Sequence, residues 1–483
     1  MAAEAQGWSG LPVHQEMAAA LAVLLCMAAS LLFFAGAPRR VGADGVSSDS
    51  ALVLTKSQRK RIERLRLPEI YVKTSRRLTL RQSSAEDSLL QNLRTVGEKL
   101  YQFDIDAYRE EALNAAKTPL LVFVNRKSGG QVGDLILQQL RNFLPEWQVF
   151  ELGGPHGQPE RALELFREIP RFRVMVAGGD GSVAWVLASI DALKLKERPP
   201  LAILPVGTGN DLSRVLGWGG GTTGLATGGN ALVRHLLEVA DGAEGPLDRW
   251  KVRCLGTGKR ELVLNNYLGV GVDAQISLNF HNNRERSPHL FTSSFINKYI
   301  WYASSGGKEI LMQRFADFNN MVHLECDGEP VPLPPHTEGL IVLNIRSYGG
   351  GVDLWDDGLS PAEHHDGRLE VVSVASSFQL GAAQVGLAKP TPLRQCTSCR
   401  IFVKPTRKEF PIQIDGEPFL LDTKRDENSV IQIDFLNKAK VLRPPSGHIK
   451  VQALHIETSL RIAVQRKVIT EAQAQELQRL ILK

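Results

Sequence analysis

Three apolar runs, each ending in a small polar loop that contains glycine, constrain this chain more than any other feature in it. Leu120-Leu121-Val122-Phe123-Val124 leads into Asn125-Arg126-Lys127-Ser128-Gly129-Gly130. Arg173 to Ala177 leads into Gly178-Gly179-Asp180-Gly181-Ser182, and Pro200 to Leu204 leads into Pro205-Val206-Gly207-Thr208-Gly209-Asn210-Asp211. An unbroken apolar run fits a parallel strand buried on both faces. Between the runs the apolar residues recur at helical spacing, as with Leu135, Ile136, Leu140 and Phe143, then Val183, Val186, Leu187 and Ile190. Gln148 to Leu152 and Arg161 to Glu168 add one more strand and one more helix. Strand and helix alternate throughout 119–246, which predicts a doubly wound α/β domain.

In an open parallel sheet all three loops fall along the carboxyl edge, where ligands bind. Glycine lets a ligand approach the backbone closely, and successive N–H groups make an anion-binding nest. Ser182 opens a predicted helix, whose N-terminus also favours phosphate. One GGDG is a weak signal, because Asp-Gly is an ordinary turn. Three such loops, each after a buried strand, point to a nucleotide phosphate site. Asp180 sharpens this: a carboxylate beside phosphate oxygens is repulsive unless a cation bridges them or it handles an acceptor proton. Mg²⁺, a catalytic base or both follow, and with them phosphoryl transfer. The chain has no GxxxxGK[ST] and no protein-kinase HRD or DFG signature.

Beyond Leu247 the periodicity shifts towards two. Leu262–Val270, Met321–Cys326, Gly339–Arg346, Leu369–Val374, Ile401–Val403, Pro411–Asp415 and Val430–Phe435 read as strands. A second, mostly antiparallel β-domain is expected over 247–440, followed by a helical tail over 441–483 with a capping pattern at Thr470 and Gln473. The β-region repeats one element, Asp327-Gly328-Glu329-Pro330 and Asp415-Gly416-Glu417-Pro418. Each reads first as a hairpin turn, and nothing in the pattern alone brings either carboxylate to the glycine loops. The five cysteines exclude a disulfide framework and multi-ligand zinc modules. Cys396 and Cys399 form a lone CxxC without a nearby His, read as two reduced thiols in a strand and not as a zinc site.

The amino-terminal part is of another kind. Met17 to Gly36 is a run of 20 uncharged residues, followed by Arg39 and Arg40. It is read as an uncleaved single-pass membrane anchor within 1–40, with the catalytic part left in the cytosol; the rival reading is a signal peptide cleaved near Ala35-Gly36-Ala37. Residues 41–118 read as a basic linker with an amphipathic helix from Ser88 to about Glu111. Residues 56–82 hold ten Lys or Arg against Glu63 and Glu69, so this stretch carries +8 of a net charge of +5. Anionic lipid is its expected partner. No nucleic-acid partner is expected, and the pattern carries no oligomeric state.

Several long stretches together resemble the eukaryotic diacylglycerol kinases: GGDGSVAWVL, ILPVGTGNDLSRVLGWGGG, NNYLGVGVDAQISLNFHNNRERSPHLF, VLNIRSYGGG, DGRLEVV and PIQIDGEPF. The resemblance covers about Pro119 to Asn437. It implies transfer of the ATP γ-phosphate to the free hydroxyl of a diacylglycerol, giving phosphatidic acid in membranes, with ATP and Mg²⁺ as cofactors. Gly178, Gly179, Asp180, Gly181 and Ser182 match the family's nucleotide loop, with Asp180 also a Mg²⁺ candidate. Gly207, Thr208, Gly209, Asn210 and Asp211 match its second loop, and Asn125, Ser128 and Gly129 its first. The late DGE turn supplies the proposed base, which falls on Asp415 and Glu417. Arg126 departs from the family's usual Pro and Ser182 from its usual Thr. Cys/His-rich lipid-sensing domains and DxDxDG loops do not occur, as in the compact kind found in plants. The rival expectations are a kinase of a sphingoid base or ceramide, and an inactive lipid-binding scaffold.

Overall fold

The computed structural model describes residues 54–76, 95–96, 99–114, 116–129, 132–153, 157–221, 229–255, 260–286, 315–355, 360–384, 389–405, 409–423, 429–445, and 471, 473 and 475. The first described helix, α1 (Lys56–Arg64), starts at a reciprocal cap in which Thr55 and Gln58 bond each other's backbone N–H. Its basic side chains are not all free. Arg61 and Arg64 pair with Asp241, and they also donate to the carbonyls of Leu237 and Ala240. Leu65 and Leu67 are buried in the α/β core, where the buried amide of Gln148 bonds Leu65, Leu67 and Leu120. The part of the expected linker around Arg61–Leu67 is therefore docked on the first domain.

Next come β1 (Val72–Arg76), β2 (Thr95–Val96), β3 (Lys99–Phe103) and α2 (Ile105–Asn114), the strands forming a small antiparallel sheet in the order β1-β3-β2. The helix expected from Ser88 is corrected to a start at Ile105. Residues 95–96 and 99–103 are strand instead, because Lys99–Phe103 finds a partner strand in Val72–Arg76. The Asp104 carboxylate accepts the N–H of Ala107 and begins the helix.

The expected single-pass anchor is also corrected. Among the described residues no helix is long and apolar enough to cross a membrane, and residues 17–36 lie outside the described residues.

The α/β part runs β4 (Leu120–Val124), α3 (Gly133–Arg141), β5 (Val149–Glu151), α4 (Pro159–Leu165), β6 (Arg173–Gly178), α5 (Asp180–Ala192), β7 (Leu201–Pro205), α6 (Asp211–Val215) and α7 (Gly229–Asp241). The four strands are parallel in the order β7-β6-β4-β5, and β4 and β7 are buried at every position. That is the doubly wound arrangement the apolar runs require.

The second part begins with β8 (Ala243–Leu255), β9 (Arg260–Leu264), β10 (Tyr267–Gly271), α8 (Val272–Arg286), α9 (Phe318–Met321), β11 (Val322–Cys326) and β12 (Glu329–Val331). It continues with β13 (Gly339–Leu343), β14 (Leu369–Val374), α10 (Ser377–Gln384), β15 (Thr391–Cys396), β16 (Ser398–Val403), β17 (Phe410–Ile414), β18 (Glu417–Leu421) and β19 (Ser429–Arg443). Six of these strands form an antiparallel sheet in the order β15-β14-β13-β10-β17-β18. The run expected as one strand over Leu262–Val270 divides at Asn265 and Asn266. This part has its own apolar core, separate from that of the α/β part.

One long strand joins the two parts. β19 pairs antiparallel with β8 along its length and with β16 over Ser429–Asp434, while Val441 pairs in parallel with Leu201 of β7. A single ten-stranded sheet thus passes from the parallel strands into antiparallel ones. Strand β8 crosses the 246/247 boundary, and β19 runs past 440 to Arg443. Of the expected helical tail, only Glu471, Gln473 and Gln475 are described, and they are helical.

Candidate active site

The three glycine loops sit at the ends of β4, β6 and β7 and touch one another. The Asn125 amide donates to the Ser182 hydroxyl at 2.9 Å, joining the first loop to the second. A β-carbon on Gly129, where φ is +62°, would fall 2.4 Å from the carbonyl oxygen of Val206 in the third. One on Gly207 would fall 2.5 Å from the Cα of Gly179. Both distances are far below any real side-chain contact, so the loops close together only because these residues are glycine. Ser128 turns the first loop by donating its N–H to the Asn125 carbonyl at 3.1 Å.

Asp180 links the second loop to the third. Its two carboxylate oxygens accept the N–H groups of Asp211 and Leu212 at 3.1 and 3.0 Å. Asn210, held at φ 53°, donates its amide to the carbonyls of Gly207 and Gly220. Its Oδ1 is buried and has no hydrogen-bond partner. Thr208 and Gly181 are exposed at the loop surface, and Gly178 and Ser182 are buried. Arg126 stays at the rim, paired with Asp134 and Glu151.

Asp211 faces the other part of the chain and is 1% exposed. Its carboxylate accepts the Tyr267 hydroxyl at 3.1 Å, the Ser347 hydroxyl at 2.6 Å, and the N–H groups of Gly350 and Gly351 at 2.8 and 3.2 Å. Burial, then the nearby charge of Asp180, pushes its pKa up to about 6. Asp211 is thus a clamp between the α/β part and the β-part. From Tyr267 the contacts continue. Its ring lies 4.8 Å from that of Tyr348, whose hydroxyl bonds the buried Asp273. Gln413 donates to Asp273 and accepts the N–H of Gly416, which lies in the second DGEP turn.

The two DGEP turns have the same backbone and different surroundings. In both, Asp and Gly have positive φ (53° and 83°, then 50° and 84°), the conformation of a tight two-residue hairpin. Asp327 bonds the connection between β15 and β16, accepting the Thr397 N–H, the Thr397 hydroxyl and the Ser398 N–H. Asp415 accepts the N–H groups of Asn265, Asn266 and Tyr267 together with the Asn265 amide, at 2.7–3.2 Å for the shortest contact of each. Burial raises its pKa to about 6 in spite of those bonds. Glu417 is exposed, and its Oε1 lies 3.5 Å from where a β-carbon on Gly181 would stand. The second turn therefore reaches the second glycine loop.

Asn265, Asn266, Tyr267, Ser347, Gln413, Asp273 and Tyr348 escaped the sequence reading as site residues. The visible signal was Asn265-Asn266, a polar pair interrupting an otherwise apolar run. The chemistry the arrangement offers is specific: a backbone nest at a helix N-terminus, a carboxylate within the loops (Asp180), a second one reaching Gly181 from the β-part (Glu417), and a buried carbonyl oxygen on Asn210 with bonding capacity left.

Comparison with known proteins agrees with this layout. Residues 119–242 match the diacylglycerol kinase catalytic domain and residues 263–418 the diacylglycerol kinase accessory domain. Diacylglycerol kinase 2 of Arabidopsis thaliana is 44% identical over 315 residues, covering 62% of this chain and 43% of that protein. Diacylglycerol kinase 1 of the same plant is 44% identical over 311 residues, covering 62% and 42%. Diacylglycerol kinase zeta of Homo sapiens is 37% identical over 379 residues, covering 72% and 38%. The chain thus spans less than half the length of these relatives. A solved structure of a putative diacylglycerol kinase from Bacillus anthracis str. Sterne superposes loosely, with a TM-score of 0.45 and 19% identity over 68% of this chain and 97% of that one.

Proposed function

Because the chain belongs to the diacylglycerol kinase family, we propose that it transfers the γ-phosphate of ATP to the free hydroxyl of a 1,2-diacylglycerol, giving phosphatidic acid. The observation that carries this reading is the approach of Glu417, from the β-part, to Gly181 of the glycine loops. A donor site alone would only bind a nucleotide. A carboxylate presented from the opposite part gives the acceptor hydroxyl somewhere to leave its proton.

In this reading the loops at Asn125–Gly129, Gly178–Ser182 and Gly207–Asp211 hold the phosphates through backbone N–H groups. The acceptor oxygen attacks the γ-phosphorus, the bond from that phosphorus to the bridging oxygen breaks, and ADP leaves. Glu417 takes the hydroxyl proton as general base. Asp415, with its carboxylate occupied by four donors, positions the turn that carries Glu417. Asp180 fits Mg²⁺, since each of its oxygens accepts a single N–H and keeps capacity for a cation. When bound, Mg²⁺ supplies charge neutralisation to the phosphates.

The anionic-lipid partner belongs to the same reading. Lys56, Arg59, Lys60 and Arg66 are exposed on the docked helix or just after it, and Ile70 beside them is 80% exposed. Basic side chains near an anionic surface attract it by roughly 1 kcal/mol each. Arg61 and Arg64 contribute less, being paired with Asp241.

The test is a transfer assay with γ-labelled ATP and Mg²⁺ in mixed micelles, with diacylglycerol, monoacylglycerol, ceramide and sphingosine offered separately. Label in phosphatidic acid supports the proposal. Label confined to a sphingolipid product, or no transfer to any lipid, overturns it.

A further inference from the structure

The lone CxxC acquires a third cysteine in the folded chain. Cys326, Cys396 and Cys399 are 0–2% exposed, and their sulfur atoms all lie within 4.8 Å of one another. Cys326 ends β11 directly opposite Cys399 on β16. Cys396 ends β15, which belongs to the six-stranded sheet, whereas β16 belongs to the ten-stranded one. Thr397 is the single residue between them, so the three thiols surround the point where the chain crosses from one sheet to the other. Asp327 holds that crossing by accepting the N–H groups of Thr397 and Ser398 and the Thr397 hydroxyl. No other described His, Cys, Asp or Glu brings a ligand atom into the cluster.

We propose that Cys326, Cys396 and Cys399 form a three-sulfur site for one monovalent copper ion. Buried sulfur donors select soft cations. Structural zinc sites are almost always four-coordinate and tetrahedral, and this cluster offers three side-chain donors. Cu⁺ accepts lower coordination, needs no redox step to bind, and displaces thiol protons to solvent as it does so. The bound ion would pin the sheet-to-sheet crossing that Asp327 already restrains. The site is remote in chemistry from phosphoryl transfer, because none of its ligands belongs to the glycine loops or to the second DGEP turn.

The experiment uses the full chain, reduced and without oxygen. Cu⁺ is titrated in competition with a chromophoric Cu⁺ chelator, stoichiometry is read by native mass spectrometry, and melting temperature is followed in parallel. One tightly held equivalent and a higher melting temperature are expected. Cys399→Ser should lose both effects, while Cys254→Ser, altering a buried thiol outside the cluster, should keep them. Because a buried Cys→Ser change can impair folding, X-ray absorption at the copper edge is measured on the unaltered chain, where a shell of three sulfurs is expected. A shell containing nitrogen or oxygen, retention of the ion by Cys399→Ser, or tighter binding of Zn²⁺ than of Cu⁺ would each overturn the proposal.

Discussion

The Oε1 atom of Glu417 stands 3.5 Å from the position a β-carbon on Gly181 would take. That is an ordinary van der Waals separation, so Gly181→Ala fits without displacing backbone. Gly181 is also the second residue of a helix, where alanine gains up to about 1 kcal/mol over glycine. Gly181→Ala is therefore expected to leave the melting temperature unchanged or slightly raised while lowering turnover, since the added methyl occupies the space between loop and carboxylate. Thermal melting and the lipid-kinase assay together check this. Full activity in the variant would remove Gly181 from the site.

Asp211→Asn is expected to weaken the clamp between the two parts. The carboxylate serves four donors on both oxygens, and an amide accepts on one oxygen only. Donors left unpaired in a buried place cost about 1–3 kcal/mol each. The variant should melt lower and turn over more slowly, and Tyr267→Phe, which removes one donor of the four, should do less of both. An unchanged melting temperature in Asp211→Asn would show that the clamp contributes nothing.

The twin turns should separate by readout. Asp327→Ala removes three hydrogen bonds at an exposed crossing and is expected to cost about 1–2 kcal/mol of stability, with turnover per folded molecule near normal. Asp415→Asn should lower both, because the donors around Asp415 fix the turn that carries Glu417. Comparable loss of turnover from Asp327→Ala would mean that the first turn also serves the chemistry.

Glu370 gives a pH signature. It is 1% exposed, and burial pushes its pKa from 4.5 up to about 8, with Gln395 donating to it and Asp366 nearby. Between those values the folded chain keeps a proton that the unfolded chain releases. Its contribution to stability is thus complete below pH 4.5 and is lost as pH rises through 8. Glu370→Gln should flatten the fall in melting temperature between pH 5 and 8. Parallel pH profiles for the two proteins would contradict the assignment.

The glycine loops were legible in the sequence because each follows an apolar run that admits one kind of strand. A parallel sheet then places all such loop ends on one edge. Hairpin turns were legible from Asp-Gly for the same local reason. The joining role of β19 was not, since pairing with β7, β8 and β16 depends on partners far along the chain. Lys99–Phe103 misled in the opposite sense: its residues tolerate a helix, and the pairing with Val72–Arg76 decides the matter. The Cys326 contact and the reach of Glu417 likewise follow from register between distant strands, which no local pattern encodes.

The measurement that bears most directly on the account is the turnover of Glu417→Gln with diacylglycerol at saturating MgATP, taken with its melting temperature. The side chain is exposed and the substitution keeps its size, so the fold should be unaffected. Loss of a general base is expected to cut kcat by about 10²–10⁴. A folded Glu417→Gln enzyme with near-normal kcat would contradict the claim that the β-part delivers the catalytic carboxylate to the glycine loops.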